Sequence, residues 1–153
     1  MKNRELTNAR RNLDQRLAPL KPEERFKAPP RGWSKAIRTA LGMTGVQFAK
    51  RLGVSPQTAD ALERSEADGK IQLETLRRAA EALDCTLVYA LVPKKNLQQA
   101  INDRARKLAL RHLSQVAHTM KLEAQETNGN DLEQNIEDYI RDHVSERDIW
   151  NLS

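Results

Sequence analysis

The sequence predicts a mainly α protein with one short strand, and three observations carry that expectation. Ala, Leu, Arg, Glu and Gln are plentiful while aromatic residues make up only 4% of the chain, a mixture that favours helix over strand. Apolar residues recur three and four apart through most of the chain, the period of an amphipathic helix. Only one run, Cys85 to Val92 (CTLVYALV), has the β-branched and aromatic character of a strand. A length of 153 residues supports one main core with an appendage.

Leu6, Ala9, Leu13 and Leu17 lie at helical spacing, which predicts an amphipathic helix over 4–17. Pro19, Pro22, Pro29 and Pro30, followed by Gly32, read as a linker. From 33 to 41 a helix would bury Trp33, Ile37, Ala40 and Leu41, with Gly42 as its stop. Thr44 is a good N-cap for a second helix over 45–52, with Phe48, Ala49 and Leu52 inward. Gly53 ends it where a left-handed residue is needed. Ser55 caps a third helix with Pro56 at its first position, where a missing N–H costs nothing. After the Asp68-Gly69 turn, Leu73, Leu76, Ala80 and Leu83 make a fourth helix.

A lone strand at 85–92 leaves both edges unpaired. Pairing with the same segment of a second subunit is the favoured solution, and an extended cover over the helical core is the alternative. A long helix over 97–124 and a last one through Leu132, Ile136, Tyr139, Ile140 and Val144 follow, separated by TNGND at 127–131. The expected organisation is an N-terminal arm (1–32), a central domain (33–93) and a helical C-terminal extension (94–153).

Charge divides unevenly among these parts. Residues 1–32 hold nine Lys/Arg against four Asp/Glu, 33–93 hold eight against seven, and the remainder nine against ten. The net +5 therefore belongs to the arm, which could track phosphates through counterion release or be a solvated extension. Cys85 is the only cysteine, so no intrachain disulfide can form and a reducing compartment fits. No early apolar run resembles a signal peptide, and none is long enough to span a membrane. A cytoplasmic protein is expected.

The segment 43–84 carries the functional argument. Two helices joined by a Gly-containing turn must cross steeply to share a core. Ala49 is small enough for the close approach, Gly53 tolerates the positive φ of the turn, and Ala59 and Leu62 face back from the third helix. That helix is then free to enter a DNA major groove with its N-terminal side chains toward base edges.

Residues 33–92, notably AKRLGVSPQTADALERSEADGKI and LRRAAEAL, resemble the Cro/repressor-type (XRE) helix-turn-helix family. The resemblance implies a lambda-repressor-like domain binding double-stranded DNA as a homodimer. More narrowly, APPRGWSKAIRTALGMT, ERSEADGKI, LVYALVP and VAHTMKLEAQ are similar to the family called mobile mystery protein A. Its members are small regulators encoded beside a Fic-domain companion, which implies an autoregulating, antitoxin-like repressor. The rival is an interaction module that inhibits the Fic-type partner through its C-terminal helices, with DNA binding secondary.

The family pattern places Ser55, Gln57, Thr58 and Ala61 at groove-facing positions. Gln57 could bond adenine N6/N7, and Ala61 could contact a thymine methyl. Thr44, Gln47 and the amides between them would meet phosphate, with Arg38, Lys50, Arg51, Arg64 and Lys70 as further backbone contacts. No Arg points obviously at guanine; Asp60 could accept from cytosine N4, although an acidic residue turned away from phosphate is the favoured reading. Thr119 and Glu123 have the spacing by which inhibitors of Fic enzymes place a Glu near the nucleotide site. Here Ala124 follows where that motif has Gly or Asn, and an exposed polar helix face is the favoured alternative. His112 and His118 are six apart and Cys85 has no CxxC companion, so no metal site is expected. No nucleotide-binding loop, nucleophile elbow or paired carboxylates appear, and neither catalysis nor a cofactor is expected.

Overall fold

Helix α3 (Gly45–Leu52) and helix α4 (Pro56–Ala67) organise the centre of the chain. In a computed structural model, which describes residues 3–119 and 129–151, the chain divides into two units. One comprises residues 22–91; the other comprises residues up to 21 together with those from 92 onward.

The 22–91 unit contains α2 (Trp33–Ala40), α3, α4 and α5 (Leu73–Ala82). Its core is Phe48 and Ala49 from α3, Ala59 from α4, Ala79 from α5, and Leu83. Ile37, Leu52, Val54, Leu62 and Cys85 close around them. Three of the five central residues are alanines, so backbones approach closely around the single large aromatic side chain, Phe48. The apolar face expected of α2 is only partly realised. Ile37 packs on the core, whereas Leu41 is exposed and Ser34 is buried. A two-turn helix presents one narrow stripe, and here that stripe runs through Ser34 and Ile37.

Residues 85–92 form no strand. A strand requires a ladder partner, and no other segment is paired with this one among the described residues. Cys85 N–H bonds back to Ala80 O at 2.8 Å, and the following residues form no regular element. The sequence expectation is corrected here: the strand character of CTLVYALV is unsatisfied within one chain.

The other unit joins α1 (Asn3–Leu17), α6 (Leu97–Thr119) and α7 (Gly129–His143). Among its described residues, Ala105, Ala109, Ile136 and Ile149 are the buried apolar ones. The first helix is therefore no detached arm. Asp14 caps α6, accepting from Leu97 N at 2.7 Å and Gln98 N at 3.2 Å. Arg10 forks onto both carboxylate oxygens of Glu146 and also reaches Gln98. Arg106 on α6 binds Glu133 on α7, and that hydrogen bond is the main cause holding the Glu133 carboxyl below its ordinary range. Pro19 lies in the first of two short 3-10 turns, Ala18–Leu20, and Pro22 caps the second, Glu23–Phe26.

Candidate nucleic-acid interface

The turn between α3 and α4 follows from local chemistry. Thr44 and Gln47 form a reciprocal capping box: Gln47 N donates to Thr44 Oγ1 at 3.1 Å, and Thr44 N to Gln47 Oε1 at 2.8 Å. Gly53 adopts φ 73°, ψ 30°, the left-handed conformation that a β-carbon disfavours. Val54 N then bonds Ala49 O at 3.0 Å, closing the end of α3 in the manner of a Schellman turn. Ser55 restarts the chain as helix, its hydroxyl accepting from Thr58 N at 3.1 Å. Both helix starts thus use a hydroxyl three residues before the amide it satisfies.

Burial sorts α4 into two faces. Ala59 and Glu63 are buried, and Leu62 and Glu66 are half-buried. Ser55, Gln57, Thr58, Asp60, Ala61 and Arg64 are exposed. All four base-reading candidates therefore lie on the open side. Gln57 and Ala61, four residues apart, share one stripe, whereas the Ser55 and Thr58 hydroxyls bond each other at 2.9 Å.

The phosphate-contact candidates fare unequally. Arg38 is committed elsewhere: its guanidinium forks onto Glu63 at 2.9 and 3.1 Å and also donates to Met43 O at 2.9 Å. Its side chain is 14% exposed and that of Glu63 only 6%. An ion pair this enclosed does not open for a phosphate without leaving Glu63 as an unpaired buried charge, so Arg38 is a structural residue. Arg51 holds Ala82 O and Asp84, bracing α3 against the end of α5. Arg64 pairs with Asp60 at 3.2 Å across one exposed turn, which also gives Asp60 an in-chain partner. An exposed pair is worth under about 1 kcal/mol, so Arg64 can exchange Asp60 for phosphate at little cost. Lys50 and Lys70 are exposed and make no ion pair among the described residues. Glu123 lies outside the described residues, and Thr119 is described only as the last helical residue of α6.

Two residues that sequence reasoning passed over hold the interface in shape. Glu63 anchors Arg38, and Glu66 accepts from the backbone amides of Trp33 and Ser34, capping α2 from the inner side of α4. The cap is remote because the N-cap position of α2 is Gly32, which has no side chain. Gly32 is required twice: it holds φ 89° with ψ 163°, and a β-carbon there would come within 2.7 Å of the Glu66 carboxylate. The only signal in the sequence was a pair of acids three apart on the inward side of α4.

These features match the helix-turn-helix family model over residues 35–89. Residues 35–89 are a DNA-binding helix-turn-helix domain. Neither curated proteins nor solved structures give a match to the chain. Among the described residues no helix is long and apolar enough to cross a membrane, and no group of three His, Cys, Asp or Glu is placed to hold a metal ion.

Proposed function

We propose that the protein is an autoregulating transcriptional repressor, in which two copies of the helix-turn-helix domain read half-sites about one helical turn apart. The observation that carries this reading is the open face of α4. Gln57 and Ala61 point away from the core on a helix whose inner side is anchored by Glu63 and Glu66. Helix α3 presents its capped N-terminus, with Gly45 and Val46 amides available to a phosphate. The affinity would come from Lys50, Lys70 and Arg64, each neutralised phosphate releasing counterions. The narrower resemblance supports a setting beside a Fic-domain companion and an antitoxin-like role.

A gel-shift assay with the region upstream of its own operon tests the reading. Binding that weakens steeply with salt and is protected at two half-sites is expected; absence of salt-dependent binding to any DNA overturns it. A second reading, direct inhibition of the Fic-type partner, is favoured by one observation: α1, α6 and α7 form a unit with buried residues of its own. If Glu123→Gly leaves inhibition of the companion intact, the role of Thr119 and Glu123 in that reading is lost.

A further inference from the structure

Ser34 sits in the inward stripe of α2 and is only 3% exposed. Its amide donates to Glu66 at 3.1 Å, but its hydroxyl has no hydrogen-bond partner among the described residues. Buried polar groups are nearly always paired, so an unpaired one needs a physical reason. The hydroxyl is not sealed in, since no fully enclosed side-chain oxygen or nitrogen lacks a partner among the described residues. It opens instead into a groove of about 320 Å³, which Ser34 lines together with Trp33, Ile37, Leu76, Ala80 and the segment Cys85–Val88.

No side chain in these walls is charged, and most are apolar. The Cys85 thiol is already turned to Leu83 O at 3.4 Å, whereas Thr86 and Trp33 are exposed. Ser34 is therefore the buried polar group that the groove leaves unused. The walls are also fixed in advance. Glu66 of α4 holds the Trp33 and Ser34 amides, and Ala80 O holds the Cys85 N–H at 2.8 Å. A volume of about 320 Å³ falls at the lower end of the range for small-molecule sites, which combine apolar walls with a few placed polar groups.

We infer that this groove binds a small uncharged organic molecule, its apolar body against Trp33, Ile37 and Leu76 and one hydroxyl or carbonyl group bonded to Ser34 Oγ. A charged ligand would leave water with no counter-charge among these walls. A single water fits poorly, because it needs two to four polar partners. An apolar side chain from a second copy would cover the walls but leave the Ser34 hydroxyl unpaired, at the full cost of its desolvation. Walls held in place before binding lower the ordering cost of an occupant that satisfies both features.

The inference goes beyond the repressor reading and is measured without DNA, so either can fail alone. Benzyl alcohol, toluene and benzoate, titrated separately into the isotope-labelled full chain and followed by amide NMR shifts, are the probes. Benzyl alcohol should give saturable shifts at Ser34, Ala80 and Thr86 to Val88, and benzoate none. Ser34→Ala should weaken benzyl alcohol by about 3–10-fold, the worth of one hydrogen bond, without weakening toluene. Ala80→Leu, which fills the groove from α5, should abolish saturable binding of both; if that variant does not fold, Ser34→Ala decides alone. No saturable shift in the wild type, equal binding of benzoate, or a Ser34→Ala chain that loses both probes alike or neither would overturn the inference. Shifts of the same amides with protein concentration alone would also overturn it, because a second copy would then be the occupant.

Discussion

Replacing Glu63 by Gln removes one charge from the most enclosed ion pair of the DNA-binding domain while preserving side-chain shape. Arg38 would keep its bond to Met43 O and could keep one to the carbonyl oxygen of the new side-chain amide, but its charge would be left 14% exposed without a counter-charge. Breaking a buried pair from one side costs about 3–5 kcal/mol. The retained hydrogen bonds and slight exposure place this case near about 3 kcal/mol. For a unit of some 70 residues (22–91), each kcal/mol moves the melting point by about 4–8 °C, so a fall of roughly 12–24 °C is expected. Trp33 fluorescence in a Trp150→Phe background reports this unit alone, because the chain has two tryptophans and Trp150 lies outside 22–91. The double variant Arg38→Met with Glu63→Leu removes both charges and should recover most of the loss, as apolar replacements of buried pairs commonly do. A Glu63→Gln loss below about 1 kcal/mol, or a double variant no better than the single, would refute the claim that the pair is closed to solvent and to DNA.

Other consequences are testable in the same preparation. Gly32→Ala should destabilise the domain by about 2–3 kcal/mol, since its dihedrals are nearly glycine-only and the β-carbon displaces the Glu66 cap; a urea titration measures it. Lys50→Ala and Lys70→Ala should each lower the slope of log affinity against log salt by about 0.9, whereas Arg38→Met with Glu63→Leu should leave that slope unchanged. Asp14→Ala should uncap α6 at a cost of about 1 kcal/mol, seen as faster amide exchange at Leu97 and Gln98. Glu133 should titrate below an ordinary glutamate by NMR. Its folded value is depressed, so the Arg106 bridge helps at neutral pH and is lost as pH falls through that depressed value.

The scaffold of the domain was legible because its signals are local. Thr44, Gly53, Ser55 and Pro56 each act within three or four residues, and the structure places every one of them as capping rules require. What the sequence concealed depends on contacts distant along the chain. Arg38 read as a free cation because nothing local shows that Glu63, 25 residues on, takes it. The expectation that 1–32 is an arm failed for a like reason, since Asp14 meets α6 some 83 residues later. The strand expected at 85–92 is not formed: local propensity is strong there, but one chain offers no ladder partner among the described residues. Leu41 shows the limit of periodicity, being apolar and correctly spaced yet 60% exposed because α2 is too short to bury a second stripe.

The central claim, that the open face of α4 reads DNA sequence, is tested most directly by selecting binding sites from a random duplex library with wild type and Gln57→Ala. The account predicts that Gln57→Ala loses preference at one base pair in each half-site, by about 1–3 kcal/mol, with the other positions and the salt slope unchanged. A uniform loss across all positions, or an identical selected site, would contradict it.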